Sequence, residues 1–192
     1  MILLVDHKDS FSRNLEHLLA KFEPVVLQDR RSIPKSLIDK ANLIVLSPGP
    51  GKPADYPETR QLVEKYLGQV PILGICLGFQ LLLENEGGKI VRQSQVLHGV
   101  CTEIRTHTDS LTYRGLPSSI KVARYHSLQV DPDSLGLMPP SLRITAEDPE
   151  RKVPLSFEDL ERNLFGLQYH PESFLTEQGK RVIENIHHAC LD

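Results

Sequence analysis

Gly74-Ile75-Cys76-Leu77-Gly78 is the stretch from which the chain is best read. One apolar run, Val70 to Ile75, leads into it and another, Phe79 to Leu83, leads out. The pattern reads as a buried strand, a sharp turn and a helix, with one thiol at the turn. It is the cysteine form of the Gly-x-Ser-x-Gly elbow, whose flanking glycines permit a strained turn that exposes the nucleophile. A sulfur so placed sits at a helix N-terminus, where free N–H groups and the helix dipole favour a thiolate. The Leu77 N–H would point at an oxyanion formed on a carbon attacked by Cys76. Simple close packing of Gly74 and Gly78 explains the pentapeptide almost as well, so the turn needs a second observation.

On the N-terminal side, strand and helix patterns alternate. Ile2-Leu3-Leu4-Val5, Val25-Val26-Leu27 and Leu43-Ile44-Val45-Leu46 are continuous apolar runs of the kind expected in buried parallel strands. Between the first two, Asp9 or Ser10 is positioned to cap a helix with Leu15, Leu18, Leu19 and Phe22 on its buried stripe, and Pro24 ends it. Pro57 to Leu67 reads as a helix with Leu62, Val63 and Tyr66 inward. After Gly87-Gly88 the pattern changes to short strands and turns: Lys89 to Arg92, Val100 to Thr106, Ile120 to Val130, Arg143 to Asp148 and Leu164 to Gln168. These are expected to be antiparallel. Asp131 to Ser141 reads as loop, and a last helix is expected from about Thr176 to Leu191, with Val182, Ile183, Ile186 and Cys190 on one face. The expected fold class is α/β: a mostly parallel open sheet flanked by helices, with an antiparallel extension in the second half. No repeat or linker interrupts residues 1–192, which are expected to form one domain.

Composition narrows the function. Net charge is −3, from 22 basic and 25 acidic residues, which argues against a nucleic-acid or anionic-membrane surface. No apolar run approaches the ~20 residues of a membrane span, and Met1 to Asp6 is too short and wrongly flanked for a signal peptide. The cytoplasm is the expected compartment. Three cysteines, Cys76, Cys101 and Cys190, are too few and too irregular for a disulfide framework or a zinc site, and no metal or cofactor is expected. Cys101 and Cys190 read as small buried hydrophobes, and His187-His188 as solvated helix-face residues.

The second observation is His170-Pro171-Glu172. A thiol nucleophile needs a base and later an acid, and histidine supplies both near neutral pH. Glu172 is placed to orient the imidazole as the third group of a triad does. The preceding run, Leu164 to Tyr169, puts His170 at a strand end, as Ile72 to Ile75 puts Cys76. Ser47-Pro48-Gly49-Pro50-Gly51-Lys52-Pro53 is a third element, also after a strand. Its glycines allow close approach to a ligand and a second oxyanion N–H. A phosphate-binding loop fits poorly, since three prolines remove amide donors and no Gly-Lys-Ser/Thr ending follows.

Ser47 to Gly51, Gly74 to Gln80, Tyr125-His126-Ser127-Leu128 and His170-Pro171-Glu172-Ser173 occur in this order, with Asp9-Ser10-Phe11 and Asn14 before them. In these motifs the whole chain resembles the class I glutamine amidotransferases, and most closely component II of anthranilate synthase and aminodeoxychorismate synthase. The resemblance implies that fold, and L-glutamine as substrate. It implies Cys76 as nucleophile forming a γ-glutamyl thioester, His170 as acid and base, and Glu172 as its orienter. Leu77 and the Gly49-Pro50-Gly51 loop would form the oxyanion hole, and Gln80, Ser127 and Leu128 would bind glutamine. A separate chorismate-using component I would be the heteromeric partner receiving the ammonia. His126 is expected to shape the glutamine-binding turn rather than to catalyse. The alternatives are a stand-alone γ-glutamyl hydrolase and a non-catalytic binding subunit. Two positions depart from the family pattern: Phe79 stands where histidine usually precedes the glutamine, and Val100 where lysine usually follows His98-Gly99. Both are expected to bear on the partner surface, or on the coupling to it, rather than on the triad.

Overall fold

Four apolar runs of the first half do form the parallel core of one sheet. The computed structural model describes residues 1–94 and 96–191. In chain order the elements are β1 (Ile2–Asp6), α1 (Ser12–Leu19), β2 (Val25–Asp29), α2 (Lys35–Ile38), β3 (Leu43–Leu46), α3 (Pro57–Tyr66), β4 (Ile72–Ile75) and α4 (Leu77–Asn85). They continue with β5 (Ile90–Arg92), β6 (Val100–Thr106), β7 (Ser119–Arg124), β8 (Leu128–Val130), β9 (Arg143–Glu147), β10 (Pro154–Asp159), β11 (Leu164–Leu167) and α5 (Gly179–Ala189). Nine strands make the main sheet, in the order β2-β1-β3-β4-β11-β10-β9-β6-β7, and β5 pairs with β8 apart from it. Pairings from β2 to β11 are parallel and those from β11 to β7 antiparallel. The α/β class and the antiparallel extension are as the sequence predicts.

Alternate side chains along each parallel strand reach opposite faces, so each strand serves two cores. Ile2, Leu4, Leu73, Ile75, Phe165 and Leu167 pack with Leu15 and Leu19 of α1 and with Val182, Ile183 and Ile186 of α5. Leu3, Val5, Ile44, Leu46 and Ile72 face the other way, against Leu62, Val63 and Tyr66 of α3 and Phe79, Leu82 and Leu83 of α4. Arg162 fastens the far end of α4, donating to Glu86 at 2.7 Å and to Asp159 at 2.6 Å.

Several expectations are corrected. Leu164 to Gln168 is parallel to β4 on one side and antiparallel only to β10 on the other. The run from Ile120 to Val130 is two strands, because Tyr125-His126-Ser127 turns the chain into the small second sheet. β10 is an additional strand: its Glu158 is buried by accepting from the Thr112 and Leu111 N–H groups and the Thr112 hydroxyl. The α1 entry has no side-chain cap; Asp9 accepts from the Phe11 N–H instead, at 2.8 Å. Part of the expected 131–141 loop, Pro132–Leu137, is a 3-10 helix. The last helix starts at Gly179 and not at Thr176, whose hydroxyl is occupied by the His170 carbonyl at 2.6 Å. Cys101 is exposed, whereas Cys190 is largely covered and burial pushes its thiol up to about 12. His187 is buried, with its Nε2 3.2 Å from Glu23. Phe79 is wholly buried, its ring 5.6 Å from that of Phe157, so it bears on no partner surface.

Candidate active site

β1, β3, β4 and β11 end at one edge of the sheet, where ligands of parallel sheets bind. Cys76 lies between β4 and α4 with φ 52° and ψ −98°, a left-sided backbone conformation that costs a non-glycine residue on the order of 1–3 kcal/mol. Hydrogen bonds hold it: its N–H donates to the Leu167 carbonyl of β11 at 2.8 Å, and its carbonyl accepts from Gln80 at 3.1 Å. The two glycines do not carry the strain. They are the contact. A Cβ on Gly78 would lie 2.5 Å from the Leu46 carbonyl oxygen, and one on Gly74 would strike the Gly78 backbone. Strained elbow and close packing, alternatives in the sequence, are therefore one arrangement.

His170 follows β11 and Gln168. Its N–H donates to Ala123 at 3.1 Å, and the packing of Gly179 against the Pro171 carbonyl, too close for any Cβ, lets α5 begin directly behind it. His170 Nδ1 is 2.7 Å from Glu172 Oε1, and both side chains are almost fully buried. The rings of Phe11 and Tyr125 stand edge-on to the imidazole at 5.1 and 5.0 Å. Burial disfavours charge on this imidazole, but hydrogen bonds and charge from Cys76 and Glu172 outweigh it and raise its pKa to about 11. The neighbouring Cys76 and Glu172 thus favour the charged imidazole.

The proline-glycine loop is held from below by His7. Its backbone N–H donates to the Ser47 hydroxyl at 2.9 Å, while its ring nitrogens meet the Ser47 carbonyl at 3.1 Å and the Thr59 hydroxyl at 3.0 Å. Burial, then the charge of Arg30, lowers the His7 pKa to about 4, so the ring is neutral. The Tyr56 hydroxyl donates to the Pro50 carbonyl at 2.5 Å, and Gly51 has φ 78°. Gly49 presses its bare Cα side toward Leu77, where a Cβ would come within 2.5 Å of that side chain. The loop thus lies directly over the first residue of α4.

Between loop and elbow is a cavity of about 200 Å³. Gly49, Pro50, Gly51, Leu77, Gln80, Ser127 and Leu128 line it, with Cys76, Tyr125 and His126. The structure therefore brings together every residue singled out for glutamine or the oxyanion, around the thiol; His170 and Glu172 approach that thiol from the β11 side. His126 Nδ1 is 2.7 Å from the Leu128 carbonyl, and its Nε2 accepts from Arg124 at 3.1 Å. Burial, then Arg124, lowers its pKa to about 3, leaving it neutral. Sequence reasoning missed His7, Tyr56, Arg124 and Gln168. Only Gln168 left a trace, as a polar residue closing a fully apolar run.

The glutamine amidotransferase class-I family model matches residues 3–190. The chain belongs to this family. The amidotransferase is 39% identical over 188 residues to an anthranilate synthase component 2 of Lactococcus lactis, covering 97% of this chain and 93% of that one. It is equally 39% identical, over 191 residues, to an aminodeoxychorismate synthase component 2 of Escherichia coli, covering 98% and 100%. Among solved structures, the fold superposes on a protein described as a GMP synthase subunit from Thermoplasma acidophilum with a TM-score of 0.84 at 22% identity, over 99% and 93% of the two chains. Among the described residues of the amidotransferase no helix is long and apolar enough to cross a membrane, and no group of three acidic, histidine or cysteine side chains could hold a metal ion.

Proposed function

We propose that this amidotransferase hydrolyses L-glutamine and delivers the ammonia to a chorismate-using component I subunit. Cys76 attacks the side-chain amide carbon, and the carbonyl oxygen becomes an oxyanion that accepts from the Leu77 N–H and from an N–H of the Gly49–Gly51 loop. His170 gives its proton to the departing nitrogen, leaving a γ-glutamyl thioester. His170 then takes a proton from water, which attacks the thioester; glutamate leaves and the thiolate returns. Glu172 keeps the imidazole in register and stabilises its charged form. Gln80, Ser127 and Leu128 hold the amino-acid end. What supports this reading is one juxtaposition: the thiol of Cys76, at a strained strand–helix elbow, lines a cavity of amino-acid size, and a buried His170–Glu172 pair follows the neighbouring strand β11. The size of the cavity favours a small metabolite over a peptide.

Relatives named as component 2 of two different synthases, at equal identity, support a component I partner and leave anthranilate and aminodeoxychorismate as equal candidate products. Replacing the nucleophile tests the assignment. Cys76→Ser is expected to abolish glutamine-dependent product formation with the cognate partner, while an ammonium salt still feeds that partner. Undiminished use of glutamine by the variant would sink the assignment. A diazo-ketone glutamine analogue should label Cys76 and neither Cys101 nor Cys190.

A further inference from the structure

One polar side chain at the sulfur takes no part in this reaction scheme. Gln168 is fully buried at the end of β11, and its Nε2 lies 3.7 Å from Cys76 Sγ. Its Oε1 accepts from Gln80 Nε2 at 3.0 Å, and the same Gln80 nitrogen donates to the Leu128 carbonyl at 3.3 Å. The direction of these bonds is not free. A backbone carbonyl only accepts, so Gln80 must turn its NH2 group to Leu128. That group then meets Gln168, which must offer it an oxygen. What remains to face the sulfur is the Gln168 N–H. The Leu128 carbonyl is itself held by His126, whose tautomer is fixed because Arg124 can only donate to its other nitrogen. Arg124 in turn is tied to Asp148 at 3.0 Å.

We propose that Gln168 is a catalytic residue whose side-chain N–H donates to the Cys76 sulfur and stabilises it as a thiolate, with Gln80 and the Leu128 carbonyl setting the direction of that bond. The proposal rests on Cys76 being the nucleophile. A hydrogen bond to a charged acceptor is roughly twice as strong as one between neutral groups, so the contact favours thiolate over sulfhydryl. Unlike His170, the amide has no proton to give up at neutral pH. It therefore still supports the sulfur after His170 has protonated the departing ammonia, and again when the thioester breaks and the electron pair returns to sulfur. Leu128 lines the glutamine cavity, so substrate that moves its carbonyl also acts on the amide at the thiol.

The test reads the thiol directly. The rate of Cys76 alkylation by iodoacetamide is measured against pH, without glutamine, in the full-length chain and in Gln168→Leu and Gln168→Asn; the second withdraws the amide by one methylene and serves if the first fails to fold. Loss of a hydrogen bond to a charged group is expected to shift the alkylation profile up by about one pH unit or more and to lower kcat for glutamine hydrolysis by at least about tenfold. Gln80→Leu, which frees the amide to turn over, is expected to shift the profile in the same direction by less. Folded Gln168 variants with the parent profile, altered only in KM, would overturn the proposal. A parent chain in which Cys76 is no more reactive than Cys101 would instead overturn the nucleophile assignment.

Discussion

Two neutral histidines under the site, His7 and His126, make its stability sensitive to acid. Their folded pKa values, about 4 and about 3, lie below the unfolded value of 6.5. As pH falls below 6.5 the unfolded chain takes up these protons and the folded chain does not, so their stabilisation is complete above 6.5 and is lost toward 4 and 3. Between pH 7 and pH 5 each should cost about 2 kcal/mol. His170 is raised and works the other way: its contribution is complete below 6.5 and is lost as pH rises from there through about 11. Over the same interval it offsets only about 1 kcal/mol, so the net change on acidification is a decline. Urea denaturation at pH 7, 6 and 5 should show it, and His7→Gln should remove more than half of it; an unchanged slope would discount the buried-histidine account. Cys76, His170 and Glu172 were legible in the sequence because each belongs to a short local motif. His7 and Gln168 were not, because their partners lie 40 to 92 positions away, and the one local mark, a polar residue closing the apolar run before His170, does not say what Gln168 meets.

At the level of elements, the elbow works because α4 can settle on β3 without side chains intervening. Gly78→Ala would drive a Cβ against the Leu46 backbone, which cannot give way as a flexible side-chain end would. The cost should be about 2–3 kcal/mol, or roughly 5–10 °C in Tm for a chain of this size. Gly136→Ala is the control: an added methyl meets nothing within 4 Å, and its melt should stay close to the parent's. Thermal melts of the two decide the point, and equal midpoints would contradict it. The parallel strands could be read from sequence because burial on both faces makes them apolar throughout. β10 could not, since Ser156, Glu158 and Asp159 look exposed until Thr112, Thr145, Ser141 and Arg162 are known to satisfy them. The break at Tyr125-His126-Ser127 was hidden for a similar reason: the turn is built from long-range bonds, among them Gln93 donating to the His126 carbonyl.

Over the whole molecule, exposed apolar side chains beside the His170 segment are a candidate seat for the proposed partner. Phe174, four residues beyond His170 in the sequence, is 92% exposed, and Val100 is 40% exposed. The contact of Cys101 Sγ with the Leu175 carbonyl, at 3.5 Å, brings the start of β6 beside that segment. A fully buried aromatic anchor is worth about 2 kcal/mol or more, so Phe174→Asp should weaken the complex with component I by roughly 30-fold or more while Cys76 keeps its reactivity in the isolated chain. Titration by light scattering or calorimetry checks this, and parent-like affinity would rule out the anchor. The departure at Val100, visible in the sequence, remains on this surface; that at Phe79 belongs to the core.

The parallel pairing of β4 with β11 also governs when the thiol becomes dangerous. The carbonyl that fixes the elbow, the amide at the sulfur and the base all come from residues 167–170, with Gln168 92 positions after Cys76. At about 5–20 residues per second, a ribosome exposes the cysteine roughly 5–20 s before it supplies them. Throughout that interval the nascent chain lacks the groups that the proposed reaction needs around the sulfur. On the proposed mechanism, activation waits until residues 167–170 have been made, and a chain terminated before them lacks the carbonyl, the amide and the base that surround Cys76.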